Sequence, residues 1–313
     1  MDKLVSDLLQ GNRRAAARLI TIIENDDPAR VELLQQVYPH GGRAFVIGIT
    51  GSPGSGKSSL VDRLLGLIRA DKMSAGIIAV DPTSPFSGGA ILGDRIRMQD
   101  HALDEDVFIR SMGTRGSLGG LSRSTAEAIQ VLDALGKDLI IVETVGVGQS
   151  EVDIVKTADT TVVVLTPAGG DSVQTIKAGI MEIADIFAVN KADLPGVERT
   201  VAELNAMLDM KPDRSYRPPV IKTISTDGSG IEALWEAIRA HRLYLERSGR
   251  LAEIRRKRVR RELADQVEYL VKERVWERVR SELAFDDLVE EIAARKRDPY
   301  SAAASILAGI GLT

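Results

Sequence analysis

The sequence predicts an α/β fold in which helices flank a mainly parallel central sheet, with helical segments added at both ends. Short apolar runs alternate with amphipathic helical patterns between residues 43 and 246. A glycine-rich loop joins the first apolar run to the helix after it, and both ends of the chain have wholly helical patterns. We therefore expect an N-terminal helical extension at 1–42, an α/β domain at 43–246 and a C-terminal helical dimerisation region at 247–313.

The composition favours an aliphatic core and excludes thiol chemistry. Hydrophobic residues make up 44% of the 313 residues and aromatic residues only 4%. The chain has no cysteine, which excludes disulfides, thiolate metal sites and thiol nucleophiles. A net charge of −4 argues against nucleic acid or an anionic membrane as the main partner. No apolar run approaches a membrane span and no signal-peptide pattern is present, so we expect a soluble cytoplasmic protein.

The predicted elements follow in order along the chain. Residues 1–38 are expected to be helical, with one break at Asn25-Asp26-Asp27-Pro28, and to pack on the domain after them; an arm that binds a partner is the alternative. Connecting helices are expected at 95–103 and 122–135. The apolar runs predict strands at 44–49, 75–81, 107–109, 138–143, 161–165, 186–189 and 219–225. Ligands bind outside the carboxyl ends of such strands, so the polar residues there are the candidates for chemistry.

One stretch matches the phosphate-binding pattern G-x-x-x-x-G-K-[ST] at every position. It consists of Gly51, Ser52, Pro53, Gly54, Ser55, Gly56, Lys57 and Ser58, and Ser59 continues into a helix. An apolar strand enters this loop and a helix leaves it, which is the context that the pattern requires. Lys57 is expected to reach the β- and γ-phosphates, and Ser58 to hold Mg²⁺. The sequence therefore predicts a P-loop NTPase.

A second motif identifies the base as guanine. Asn190, Lys191 and Asp193 form an N-K-x-D element directly after a strand. The Asp193 carboxylate is expected to accept hydrogen bonds from guanine N1–H and the N2 amino group, which adenine lacks. Such a pair of bonds favours GTP over ATP by more than about a hundredfold. Ser225 and Thr226, at the end of the next strand, fit the remaining base-binding loop.

The metal-binding side departs from the usual Asp-x-x-Gly pattern, since the fourth strand ends in Glu143-Thr144-Val145-Gly146. Glu143 is expected to hold Mg²⁺ through water, and the Gly146 N–H to meet the γ-phosphate. Asp81 and Asp94 are further candidates for the metal shell; a turn residue is the alternative for each, and a helix N-cap for Asp94. We take Lys57, Asp81, Asp94 and Glu143 as the catalytic set.

Hydrolysis is expected to be slow in the isolated protein. Ras-like proteins carry a glutamine after the glycine of this motif to orient the attacking water, and this chain has Val147 there. Gln149 is not assigned that role. A loop movement or a partner would have to complete the catalytic geometry.

The C-terminal pattern predicts an oligomer interface. Apolar residues recur every four positions on one long helix: Val259, Leu263, Val267, Val271, Val275 and Val279. A basic cluster at 255–261 suggests nucleic acid, but acidic residues follow it on the same helix and favour a solvated surface.

Together these motifs resemble the MeaB/ArgK-type P-loop GTPases, which are chaperones of adenosylcobalamin-dependent methylmalonyl-CoA mutase. The resemblance covers nearly the whole chain, and the glutamate form of the fourth-strand motif is its most specific part. It depends on Gly51 to Ser58, Asp81 to Ser84, Leu92 to Arg95, Arg115-Gly116, Gly119 to Leu121, Glu143 to Glu151 and Asn190 to Asp193.

The resemblance implies that GTP hydrolysis gates cofactor loading and protects the mutase from inactivation. Adenosylcobalamin would belong to the mutase, which would be a separate chain. It implies phosphate, Mg²⁺ or switching roles for Lys57, Asp81, Asp94 and Glu143, communication with the mutase through residues 166–174, and a homodimer formed by the C-terminal helices.

Two other functions would use the same nucleotide domain. A metal-insertion GTPase of the nickel-chaperone type would carry clustered cysteine or histidine, whereas this chain has no cysteine and three widely separated histidines. A P-loop kinase linked to arginine or ornithine transport would need an acceptor pocket and would have no use for Asp193.

Overall fold

The central element is a parallel sheet of seven strands. The computed structural model of the chain describes residues 1–81, 101, 103–113, 120–144, 156–167, 181–210, 215–282 and 285–309. The strands are β1 (Phe45–Gly51), β2 (Ala75–Asp81), β3 (Val107–Gly113), β4 (Leu139–Thr144), β5 (Thr160–Leu165), β6 (Ile186–Val189) and β7 (Val220–Lys222). Their spatial order is β3-β2-β4-β1-β5-β6-β7, and every pair is parallel. The predicted α/β class and parallel sheet are confirmed.

Helices account for most of the remaining described residues. They are α1 (Lys3–Leu9), α2 (Arg13–Glu24), α3 (Ala29–Val37), α4 (Lys57–Ala70), α5 (Gly120–Ala134), α6 (Met181–Ile183), α7 (Val197–Asp209), α8 (Ile231–Arg247), α9 (Arg250–Glu282), α10 (Phe285–Ala293) and α11 (Pro299–Gly309). A short 3₁₀ helix, Tyr38–His40, follows α3. Most of the helix predicted at 95–103 lies outside the described residues.

The register of the strands places their carboxyl ends along one edge of the sheet. Ile49 of β1 lies opposite Glu143 of β4, and Gly51 lies opposite Val164 of β5. Every residue of β1, β4, β5 and β6 is buried. Strands covered on both faces need apolar residues at successive positions, which explains why they appear as continuous apolar runs in the sequence.

The N-terminal region contains a break that the sequence analysis missed. The single helix expected before Asn25 is two helices, α1 and α2, because the chain turns at Gly11. Gly11 has a φ of +85°, and the Asn12 side chain accepts hydrogen bonds from the N–H groups of Arg14 and Ala15 at 2.9 and 3.2 Å. The glycine followed by an N-capping asparagine was the available signal.

The N-terminal helices pack on the sheet domain, as expected. Leu8 and Ile20 belong to one apolar cluster with Ile78 of β2 and Leu132 of α5. Arg30 of α3 also donates to the Glu127 carboxylate of α5 at 2.7 Å, and both side chains are buried. This extension therefore shares its core with the sheet.

The chain divides into two compact units, Met1–Leu251 and Ala252–Thr313. In the second unit α9 leaves large apolar side chains in solvent: Val259, Leu263 and Val267 are 48%, 64% and 52% exposed. Trp276 and Phe285 contact each other edge to face, with ring centroids 5.6 Å apart. Among the described helices, none combines the length and the apolar character that crossing a membrane requires.

Candidate nucleotide site

The polar residues predicted to bind nucleotide converge at the carboxyl edge of the sheet. The phosphate loop follows β1, Glu143 lies near the end of β4, Asn190 follows β6 and Ser225 follows β7. Parallel strands deliver these ends to one side of the sheet although they are far apart in sequence.

At two positions of the phosphate loop, neighbouring atoms leave no room for a side chain, so only glycine fits. A Cβ atom at Gly51 would lie 2.1 Å from the Val164 carbonyl oxygen, and one at Gly56 would lie 2.3 Å from the Asn190 side-chain nitrogen. Gly56 is also left-handed, with a φ of +88°, and caps α4 without a side-chain hydrogen bond. Gly56 therefore places no side chain over the N-terminus of α4, which is the kind of helix end that binds an anion.

Lys57 is buried beneath this loop. Its Nζ donates to the carbonyl oxygens of Gly51 and Ser52 at 2.8 and 3.0 Å. The loop thus holds the ammonium group by two of its own carbonyl groups, next to the expected phosphate position. The neighbouring Ser55 is buried as well, and its hydroxyl makes no hydrogen bond within the described part of the chain.

Ser58 and Glu143 lie side by side although 85 residues separate them in sequence. The Ser58 hydroxyl donates to Glu143 Oε1 at 2.6 Å, and both side chains are buried. Beside this contact, the hydroxyl groups of Thr144 and Thr50 are 2.9 Å apart and join β4 to β1. The contact unites two of the predicted metal-binding residues next to the phosphate loop.

This pair fits a magnesium ion in its donor chemistry. Mg²⁺ prefers oxygen ligands and is commonly bound by one or two protein oxygens together with water and substrate phosphate. Within the described residues no group of three or more His, Cys, Asp or Glu side chains is placed to hold a metal, so a cage made wholly of such side chains is not seen there. A hydroxyl and a carboxylate beside a phosphate loop match the first kind of site.

Asn190 joins the phosphate loop to the predicted base loop. Its Nδ2 donates to the Ser55 carbonyl oxygen at 2.8 Å and to Ser225 Oγ at 3.2 Å. Its Oδ1 accepts from the Ser225 N–H at 3.1 Å and from the Thr223 hydroxyl at 3.2 Å. Both ends of the amide are engaged within the protein, so Asn190 sets the distance between the loops. Strand β7 ends at Lys222, earlier than predicted, and the residues that bond to Asn190 follow it directly.

Asp193 lies in the turn after this anchor with its side chain exposed. Lys191 has a positive φ of 56°, and its carbonyl oxygen accepts from the Leu194 N–H at 3.0 Å. The Ala192 N–H donates to the Thr223 carbonyl oxygen at 3.1 Å, which fixes the turn against the base loop. Asp193 is thus placed as a carboxylate open to a ligand.

Several of the predicted site residues lie partly or wholly outside the residues that the structure describes. Asp81 is the last residue of β2, and its side chain lies outside the described set. Asp94, Gly146, Val147 and most of the loop at 166–174 also lie outside the described residues.

The sequence analysis missed Arg63, on the exposed side of α4. Its Nε donates to the Ser225 carbonyl oxygen at 3.1 Å, and its Nη2 donates to the Thr226 carbonyl oxygen at 2.7 Å. The only sequence signal is a basic residue six positions after Lys57, which by itself indicates nothing.

Comparison with known proteins identifies a family of GTPases. A family model described as methylmalonyl-CoA mutase-associated GTPase MeaB matches residues 16–281. A Pyrococcus abyssi protein that carries a GTPase name is 53% identical, over 98% of this chain and 96% of its own length. The Escherichia coli GTPase ArgK is 36% identical, over 79% of this chain and 78% of its own length.

A solved structure supports the same fold. The crystal structure of an LAO/AO transport system kinase superposes with a TM-score of 0.73 at 27% identity, covering 98% of this chain and 96% of that protein.

Proposed function

This chain belongs to the MeaB family of methylmalonyl-CoA mutase-associated GTPases, and from that premise we propose that it is a GTP-hydrolysing chaperone of an adenosylcobalamin-dependent acyl-CoA mutase. Methylmalonyl-CoA mutase is the first candidate for the client. In this proposal GTP turnover gates cofactor loading and protects the mutase from inactivation.

The observation that carries the nucleotide part of the proposal is the Asn190 anchor. A single buried amide binds the phosphate loop and the base loop at once, at 2.8 Å from Ser55 O and 3.1 Å from Ser225 N. Such a link fixes the distance between a phosphate site and a base site, which a nucleotide ligand requires and a phosphate ion alone does not.

The proposed phosphate chemistry uses groups that the loop already holds. Incoming β- and γ-phosphate oxygens would replace the carbonyl oxygens of Gly51 and Ser52 as acceptors for the Lys57 ammonium group. The N-terminus of α4 and the buried Ser55 hydroxyl would supply further donors. These groups orient the phosphate chain and stabilise the negative charge that develops on it.

Mg²⁺ would be held by Ser58 and Glu143, with Asp81 and Asp94 as further proposed ligands. When bound, it neutralises charge on the β- and γ-phosphates. The Ser58 oxygen could bind the metal through a lone pair while its O–H still donates to Glu143, because a hydroxyl has one donor and two lone pairs. That contact would connect the proposed metal site to the end of β4.

The guanine specificity is assigned to Asp193. Its exposed carboxylate is proposed to accept from guanine N1–H and N2–H, while the turn that carries it is held against Thr223. The exposed apolar stripe of α9 is proposed as the homodimer interface, because isolated monomers rarely leave several large apolar side chains of one helix in water.

Base specificity is tested with Asp193→Asn. The variant is expected to lose GTP affinity and to gain affinity for xanthosine triphosphate, whose extra carbonyl group suits an amide donor. The measurement is nucleotide affinity by isothermal titration calorimetry, with Asp209→Asn, an exposed aspartate on α7, as the matched control. Equal GTP binding by Asp193→Asn and the parent would remove the base assignment.

The chaperone role is tested by GTP turnover with and without a mutase. Turnover by the protein alone is expected on the order of 10⁻⁴–10⁻² s⁻¹ and is expected to rise when the client is added. Linkage requires that GTP tighten the mutase complex if the mutase prefers the GTP-bound form. Asp171→Ala and Gln174→Ala are expected to weaken this coupling with little change in nucleotide affinity, and Lys57→Ala to abolish turnover.

The alternatives give different results in the same assay. Phosphate transfer to arginine or ornithine would indicate a kinase. Turnover that is fast alone, or indifferent to every carbon-skeleton mutase offered, would contradict the chaperone role and leave only the GTPase.

A further inference from the structure

We infer that Arg63 is a positioning residue for recognition of the guanine base, acting through the backbone of the Ser225–Thr226 loop. The inference rests on the proposed GTP-binding function and extends it to a residue outside the nucleotide motifs. Arg63 lies on α4, whose N-terminus carries Lys57 and Ser58, and so it connects the phosphate helix to the base loop.

The contacts are specific to an arginine. Nε and Nη2 bind two successive carbonyl oxygens, of Ser225 at 3.1 Å and of Thr226 at 2.7 Å. A guanidinium group presents its N–H donors in a fixed planar fork, which suits two acceptors at neighbouring positions. A lysine ammonium group has no such fork, although it has the same charge.

Fixing these carbonyl groups also fixes the N–H groups of the loop. The carbonyl and the N–H of one trans peptide point in opposite directions, so holding the Ser225 carbonyl toward α4 turns the Thr226 N–H away from α4. That N–H makes no hydrogen bond among the residues that the structure describes, whereas the Ser225 N–H is bonded to Asn190. The loop therefore presents the Thr226 N–H as a donor with a fixed direction and no acceptor among the described residues.

This donor complements the one guanine group that Asp193 does not read. A carboxylate accepts from guanine N1–H and N2–H, but the O6 oxygen needs a donor. In the base loop that the sequence already assigns to guanine binding, the Thr226 N–H suits this role, and we assign control of its direction to Arg63. Without Arg63, we expect the protein to discriminate less between nucleotides with and without O6. Its discrimination between nucleotides with and without the N2 amino group should be preserved.

The experiment measures diphosphate affinities by calorimetry for the full chain and for Arg63→Gln. The ligands are GDP, the 2-aminopurine riboside diphosphate, IDP that lacks the N2 amino group, and ADP. The 2-aminopurine analogue lacks both O6 and N1–H, so only the difference between parent and variant in the ratio of GDP to analogue affinity reports on Arg63. Arg63→Gln is expected to weaken GDP binding about tenfold and binding of the analogue without O6 less than about twofold. The ratio of GDP to IDP affinity should stay at the parent value.

Two further variants sharpen the result. Arg63→Lys keeps the charge and is expected to behave like Arg63→Gln because it lacks the fork. Arg239→Gln removes another exposed arginine, one that binds Asp71 at 3.2 Å, and is expected to leave all four affinities unchanged. Circular dichroism and thermal unfolding show whether each variant is folded, and Arg63→Lys provides the test if Arg63→Gln is not.

The outcomes separate the two proposals. A parent that does not prefer GDP to ADP contradicts the proposed function itself. A parent that prefers GDP, with Arg63 variants that weaken every diphosphate equally or none, overturns only the inference about Arg63. The inference about Arg63 is supported if its variants reduce the ratio of GDP affinity to 2-aminopurine analogue affinity and leave the ratio of GDP affinity to IDP affinity unchanged.

Discussion

The helices at the two ends of the chain carry similar apolar patterns but differ in what those patterns contact. In the N-terminal extension, Leu8 and Ile20 have no exposed surface and share a core with the central sheet. In the C-terminal unit, Leu263 and Val267 of α9 are 64% and 52% exposed. One set of apolar residues stabilises the fold of the chain, and the other remains available for an interface.

The charged residues differ in the same way. Arg30 and Glu127 form a buried ion pair between α3 and α5, and burial raises the pKa of Glu127 although Arg30 opposes that shift. Lys257 and Glu253 of α9 are 2.7 Å apart, but both are exposed. Periodicity alone predicts a helix with an apolar side, and only the contacts show whether that side is already covered.

The largest expected effect is the loss of the buried ion pair. Arg30→Met is expected to destabilise the protein by up to about 3–5 kcal/mol, because it removes the hydrogen-bonded partner of buried Glu127 and leaves only Arg123, whose Nε lies 3.8 Å from the carboxylate. Lys257→Met, the exposed counterpart, is expected to change the free energy of unfolding by less than about 0.5 kcal/mol. Denaturant unfolding of both variants measures the difference, and similar losses in the two would contradict the comparison.

Truncating an apolar side chain should have different effects on the free energy of unfolding at the two ends of the chain. Ile20→Ala is expected to cost about 3 kcal/mol at any protein concentration, since Ile20 is fully buried within one chain. The cost of Leu263→Ala is expected to depend on protein concentration, because it would act on association of two chains. Unfolding experiments at several concentrations distinguish them; a concentration-independent loss for Leu263→Ala would argue against its place in an interface.

Acid should destabilise the first unit through His241 of α8. Burial lowers the pKa of His241 from 6.5 to about 4, and its Nδ1 lies 2.8 Å from the Thr160 hydroxyl. The Asp185 carboxylate, which would favour protonation, lies 3.6 Å from Nε2 and accepts from the Thr161 N–H. The unfolded chain therefore binds a proton more readily than the folded chain as the pH falls.

The stability that neutral His241 provides is present above pH 6.5 and is expected to be lost as the pH falls from 6.5 to 4, by up to about 3 kcal/mol. His241→Gln is expected to flatten this part of the curve of unfolding free energy against pH. His40→Gln, at an exposed histidine, is the control variant. An unaltered curve for His241→Gln would exclude this histidine as its source.

The smallest effect on nucleotide binding is expected from removing the C-terminal unit. Deletion from residue 255 onward should give a monomer, because it removes the exposed stripe of α9. GTP affinity should stay within about twofold of the parent value, since the nucleotide loops all lie in Met1–Leu251. Analytical ultracentrifugation and calorimetry measure the two properties, and a dimer that survives the deletion would place the interface elsewhere.

Much of the fold was predictable because its signals are local. Continuous apolar runs marked all seven strands, and the glycine-rich loop marked the junction of β1 and α4. The break at Gly11 was missed because the apolar periodicity continues across it, although Gly11 and Asn12 form a recognisable end and start of helices.

The sequence by itself determined the family, the phosphate loop and the N-K-x-D element, because these depend on residue types at fixed short spacings. Only the tertiary structure decided which distant residues meet. It placed Ser58 beside Glu143, made Asn190 the joint between two loops and brought Arg63 to the Ser225 and Thr226 carbonyl groups. Contacts of this kind depend on strand order and register. In this parallel sheet β1 lies between β4 and β5, and β4 lies beside β2, an order that no local sequence pattern reveals.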